Sequence, residues 1–105
     1  MMTMAPRDSL DERIRRAIAE RRLLEICYKG AARLVEPHDY GVIDGNERLL
    51  IFQLQGPDSD GAAGWRLLTV VKIEDCVVTD QTFAGSRGRS HQQLYQWETL
   101  YARVT

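Results

Sequence analysis

A chain of 105 residues, 44% of them hydrophobic, has material for one domain and one core, without help from a metal or a disulfide. No apolar run approaches the roughly 20 residues that span a bilayer, and Met1 to Arg7 lacks the basic start and apolar stretch of a signal peptide. The expectation is a cytoplasmic protein with no membrane partner. A net charge of −1 conceals an uneven distribution. Residues 1–22 carry six arginines against four acids, residues 23–84 five bases against ten acids, and residues 85–105 three arginines against one Glu. An acidic body with basic flanks argues against a broad grip on duplex backbone, which needs a basic surface.

Residues 1–8 read as a flexible lead-in. Ser9-Leu10-Asp11-Glu12 is a capping-box pattern with acids in the first turn, where the helix dipole favours them. Leu10, Ile14, Ala17 and Ile18 recur at helical spacing, so a helix runs to about Arg21 or Arg22. The period then becomes two. Leu24, Ile26 and Tyr28 share one face of a strand, with Glu25, Cys27 and Lys29 on the other. Lys29-Gly30-Ala31-Ala32 reads as a turn around a glycine, Arg33 to Glu36 as extended, and Pro37 as a bend, an edge or an end of pairing. Asp44-Gly45-Asn46 is a hairpin signal.

Arg48–Gln55 and Trp65–Lys72 carry apolar residues on both faces and need cover on both. The Gly56–Gly64 loop between them reads as mobile. Ile73–Phe83 is a further strand, and Gly85-Ser86-Arg87-Gly88-Arg89-Ser90 breaks the pattern. The tail from His91 to Thr105 reads as a turn or short helix followed by a terminal strand. The fold expected is mainly β: a small barrel of about five strands with an N-terminal helix and a C-terminal aromatic tail.

The ordered set Leu24-Glu25-Ile26-Cys27-Tyr28, Arg33-Leu34-Val35-Glu36-Pro37-His38, Gly45, Leu49-Leu50-Ile51-Phe52-Gln53, Trp65-Arg66-Leu67-Leu68 and Lys72-Ile73 resembles the WYL domain of bacterial transcription regulators in a compact, free-standing form. The resemblance covers roughly residues 12–84. It implies an SH3-like or Sm-like barrel and a role in sensing ligands, including nucleotides or nucleic acids. The chain departs from the family at the naming Trp-Tyr-Leu motif. Arg48-Leu49-Leu50 occupies that position and keeps only the last residue. No helix-turn-helix segment precedes Ser9 in this sequence, so such a module would act through a regulatory protein partner.

Arg66 and Lys72, six apart on one expected strand, point to the same face. They form either an anion grip, with Arg66 offering a planar fork, or solvated charges paired with Glu36, Glu74 or Asp75. Trp65 is either a stacking platform for a base or a cap on the core or a dimer contact. Arg33, Glu36 and His38 make a polar cluster around Pro37, with His38 either titrating near neutral pH or holding a structural hydrogen bond. Gln53, polar in an apolar strand, either satisfies a buried backbone group or reads a ligand. The helix arginines read as surface, with Glu20 able to pair with Arg16. Tyr95, Trp97 and Tyr101 read as cover for an apolar face or as a homodimer contact.

Nothing in the sequence points to an enzyme. It has no Gly-x-Ser-x-Gly elbow and no phosphate loop. Cys27, His38, Cys76 and His91 lack metal-site spacing. Both cysteines read as buried, inert thiols, and no cofactor is implied. The function expected is a module that binds a small anionic ligand or single-stranded nucleic acid through Arg66, Lys72, Trp65, Arg33, His38 and Gln53. The alternative is a structural protein that forms a homo-oligomer through its apolar face and aromatic tail.

Overall fold

A computed structural model describes residues 9–57, 64–88 and 95–105. The expected lead-in, the middle of the Gly56–Gly64 loop and the first residues of the tail, His91 among them, lie outside the described residues.

Helix α1 spans Leu10–Glu20 and starts on the expected capping box. Ser9 Oγ accepts from the Glu12 amide, and the Glu12 carboxylate accepts from the Ser9 amide. The helix stops at Arg21, whose left-handed backbone (φ 55°) lets its N–H bond the last carbonyls. Ile14, Ala17 and Ile18 are buried against the sheet. Asp11 pairs with Arg15 one turn along the helix, and Glu20 also bonds Arg22.

The strands are β1 (Arg22–Tyr28), β2 (Ala31–Ile43), β3 (Asn46–Gln55), β4 (Gly64–Thr69), β5 (Ile73–Thr82) and β6 (Thr99–Arg103). All pairings are antiparallel, in the order β4-β3-β2-β1-β5, with β6 on β2. Lys29-Gly30 joins β1 to β2 and Asp44-Gly45 joins β2 to β3. All four residues have positive φ, as two-residue hairpin loops require. Among the described residues β4 and β5, the two ends of the order, are not paired with each other; a 310 turn, Val70–Lys72, connects them. The described residues are thus mainly β, with one α-helix and six strands, and their sheet is open rather than a closed barrel of five.

One face of the sheet carries the core. Leu24, Ile26 and Tyr28 of β1 lie on it with Val35, Leu49, Ile51 and Leu68, and α1 completes the cluster. Each such aliphatic contributes about 1.5–3 kcal/mol on burial.

Strand β2 is the spine. It pairs with β3 along most of its length, while on its other edge β1 covers Ala31–Val35 and β6 covers Asp39–Val42. Pro37 falls at this changeover. It interrupts pairing on one edge as expected, but the strand itself continues. Immediately afterwards His38 is a bulged residue: Pro37 faces Ile51 and Asp39 faces Leu50, leaving His38 without an opposite number. The extra residue inverts the alternation, so Glu36 and Asp39, three apart, lie on the same face. Sequence periodicity alone puts them on opposite faces.

Candidate functional site

The two sides of the sheet hold different chemistry. At the end where the β1–β2 turn approaches the start of β4, a cleft of about 410 Å3 is lined by Tyr28, Lys29, Arg33, Pro57 and Arg66, with Leu67 and Leu68. Arg33 and Gln53 are placed by register: Arg33 pairs with Ile26, Gln53 with Val35 and Gly64, and Arg66 with Ile51. All three therefore project on the core-bearing face, beyond the last aliphatic residues.

Arg33 is held by neutral acceptors. Its Nη1 donates to Gln53 Oε1 at 3.0 Å and to the Pro57 carbonyl at 3.5 Å, and its Nε donates to the Tyr28 carbonyl at 3.4 Å. Among the described residues none bonds its Nη2. Gln53, only 2% exposed, donates Nε2 to the Pro57 carbonyl at 2.9 Å. It thus satisfies a backbone carbonyl and orients the guanidinium in one arrangement. Lys29 and Arg33 both stand over the Tyr28 ring, 5.8 and 5.7 Å from its centre, and the Tyr28 hydroxyl accepts from the Thr69 amide at 3.0 Å. Arg66 donates to the Trp65 carbonyl at 3.1 Å. Among the described residues three cations line this concavity, and one of them is pinned by uncharged groups, a lining suited to an anion.

Lys72 does not belong to this cleft. The strand expected through Trp65–Lys72 ends at Thr69, and Lys72 closes the 310 turn. The two-residue period that would align Arg66 with Lys72 stops between them, which corrects the expected shared face. Glu36 pairs with neither. Lys29, Tyr28 and Pro57 were not singled out by sequence, although the Lys29-Gly30 hairpin loop was the signal that fixed where Lys29 stands.

The far face carries the other candidates. Trp65, next to Arg66, points the opposite way, edge-on to His38 (4.7 Å between ring centres) and to Phe52 (5.4 Å). His38 is 0% exposed, is also packed on Phe83, and brings Nε2 within 3.2 Å of Glu36 Oε1, while its buried Nδ1 has no hydrogen-bond partner among the described residues. Burial pushes the imidazole below its usual pKa although the Glu36 carboxylate pulls the other way. Arg87, in the segment after β5, donates Nε and Nη2 to the two Glu36 oxygens at 2.7 and 3.0 Å, and its guanidinium lies 3.7 Å from the Phe52 ring centre. Burial acts to raise the Glu36 pKa, but Arg87 and His38 outweigh it, so the carboxyl titrates below its usual range. The cluster read around Pro37 is therefore divided between faces: Arg33 joins the anion cleft, and Glu36 and His38 join Arg87. Sequence missed Arg87 because a Gly-Ser-Arg-Gly segment carries no period.

Cys27 is half-buried, and its thiol donates to Glu74 at 3.2 Å, which raises its pKa. Cys76 is buried and pushed up to about 11. Both thiols are free, and Cys27 and His38 are committed to different carboxylates, so no thiol–imidazole pair forms between them. Among the described residues, no three His, Cys, Asp or Glu side chains converge on a metal-sized site, and no helix is long and apolar enough to cross a membrane. Comparison with protein-family models, with curated proteins and with solved structures gives no match.

Proposed function

We propose that this chain is a binding module that takes a small anionic ligand in the cleft of Lys29, Arg33 and Arg66, and that it acts through a partner protein rather than by catalysis. The observation that carries the reading is Arg33, held in place by three neutral acceptors with Nη2 bonded by none of the described residues, inside a concavity that Lys29 and Arg66 also line. A guanidinium whose rotamer is already fixed loses little entropy when it grips phosphate or carboxylate. The acidic body confines the attraction to this spot, which favours a compact anion over a nucleic-acid strand. The resemblance to WYL domains is part of this proposal. Under it the open sheet is a divergent relative of an SH3-like or Sm-like barrel, and Trp65, His38 and Lys72 lie outside the binding surface.

Titration with a nucleoside monophosphate and with a single-stranded oligonucleotide, each at low and moderate salt, tests the reading. The expected result is saturable monophosphate binding that weakens about tenfold or more in Arg33→Ala or Arg66→Ala, each removing one charge-assisted contact of about 1.5–3 kcal/mol, and is unchanged in Lys72→Ala. Steep salt dependence with preference for the oligonucleotide would point to a strand as the ligand. No binding of either, together with a dimer by light scattering, would leave the homo-oligomeric structural role as the better account.

A further inference from the structure

The segment after β5 does more than end the sheet. It crosses the far face and places Arg87 in a socket, with the Glu36 carboxylate taking both arms of the fork and the guanidinium carbon 3.7 Å from the Phe52 ring centre. Trp65 stands edge-on to Phe52, and His38 braces Glu36 from the interior. The socket belongs to regular strands: Glu36 and Phe52 are cross-strand partners on β2 and β3, and Phe52 faces Trp65 on β4. Glu36 is 6% exposed and fixed. Its occupant is less enclosed. Arg87 is 41% exposed along its side chain and rides on residues without helix or strand structure, between glycines 85 and 88 at φ 110° and 106°. Among the described residues the segment is tied by the Phe83 amide to the Arg21 carbonyl at 2.9 Å and by the Ser86 amide to the Thr105 carbonyl at 3.3 Å.

A buried acceptor filled by a partly exposed side chain that comes from outside the sheet is the arrangement of a recognition site occupied by an internal stand-in. We propose that the Glu36–Phe52–Trp65 socket is a receptor for an arginine side chain presented by a segment of another protein, with Arg87 holding the site closed until that segment displaces it. The chemistry selects arginine over lysine. Two parallel N–H donors match the two carboxylate oxygens, and a planar cation lies flat on the ring, whereas an ammonium is a point charge with neither feature. The internal competitor sets the threshold. A side chain tethered by a short segment acts at an effective concentration of about the millimolar range, so an arginine in trans must exceed it or arrive within a larger interface. This socket is on the opposite face from the anion cleft, and its occupancy does not depend on the anion-binding reading.

The test removes the internal ligand. In Arg87→Ala, titration with N-acetyl-arginine amide, followed by Trp fluorescence and by thermal melting, is expected to show saturable binding and a rise in Tm. The lysine analogue should bind about tenfold more weakly or worse, the wild-type chain should respond far less than the variant, and Glu36→Gln in the Arg87→Ala background should abolish the response. If Arg87→Ala does not fold alone, recovery of its folded spectrum by the arginine amide and not by the lysine amide carries the same information. Arg87→Lys, which keeps the charge but not the fork, should give an intermediate response. A folded Arg87→Ala chain that ignores the arginine amide, or that binds both amides equally, overturns the proposal, as does an unfolded variant that neither amide rescues.

Discussion

The Arg87–Glu36 pair makes a prediction in which the sign is as informative as the size. In the wild-type chain the Glu36 carboxyl titrates below its usual range, because Arg87 and His38 outweigh the burial that acts against its charge. A folded-state pKa below the unfolded value contributes stability above the unfolded pKa of about 4.3 and loses it as pH falls through the folded pKa. Arg87→Ala removes the larger of the two favourable partners and leaves the burial. The Glu36 pKa then rises, so the stability that this carboxyl contributes at neutral pH and loses on acidification shrinks in the variant. The other groups at the site act the same way or are occupied. Arg87 lowers the His38 pKa, so its removal also eases protonation of His38, and Asp39 is bonded by both arms to Arg103 at 3.0 and 3.1 Å. Breaking a fully buried pair costs about 3–5 kcal/mol. Here Arg87 is 41% exposed and water screens it, which reduces the cost to about 2–3 kcal/mol at pH 7. Of this, about 0.5–1 kcal/mol is contact with Phe52 and does not titrate. Urea unfolding of both chains at pH 7 and at about pH 2.5, below the lowered carboxyl range, should show the difference falling from about 2–3 kcal/mol to about 1 kcal/mol. An equal difference at both pH values would refute the account, because the carboxylate would then contribute nothing to what Arg87 does.

Two further substitutions probe how the flanking elements are fastened. Gly41→Ala should cost about 2 kcal/mol or more, read as a lower urea midpoint, because a Cβ there would stand 2.1 Å from the Thr99 carbonyl oxygen and 3.0 Å from the Trp97 ring, forcing β6 away from β2; a wild-type midpoint would mean that β6 is not held at that distance. Tyr40→Phe should cost about 1–2 kcal/mol at pH 6, since the buried hydroxyl donates to Asp11 at 2.8 Å and is the main reason that the Asp11 pKa is lowered. That stability is present above the usual carboxylate pKa and is lost as pH falls through the lowered one, so the cost should shrink below about pH 3, and an undiminished cost at pH 2.5 would contradict the assignment.

What was legible in the sequence followed local physics. The capping box, the Leu24-Ile26-Tyr28 alternation and the Asp44-Gly45 loop depend on residues within a few positions of one another, and each stands where its pattern puts it. Closure is a different kind of fact. Whether β4 meets β5 depends on the summed twist and bend of the whole sheet, and a strand pattern carries no record of that, so a closed barrel was expected where the strand order is open. The Arg66–Lys72 alignment failed for a local reason. Val70-Val71-Lys72 has the composition of a strand but turns as a 310 segment, exposing Val71. Gln53 was recognised as a polar intruder, but its task, joining Arg33 to the Pro57 carbonyl, needed three elements placed together.

The His38 bulge explains why the far face, rather than the sequence neighbourhood of Pro37, became the acidic one. With strict alternation only one of Glu36 and Asp39 would lie on that face. The extra residue brings both there, and each then needs a cation that the central strands do not supply. The C-terminal region supplies them, Arg87 to Glu36 and Arg103 to Asp39, each through a two-armed contact. The two arrangements are not equivalent. Arg103 is delivered by strand β6 and stands opposite Asp39 in register. Arg87 is delivered by a segment outside the sheet. Two buried acids of the same strand are therefore neutralised by one cation that the ladder fixes and one that it does not, and it is the second that a competing arginine could replace without breaking a strand pairing.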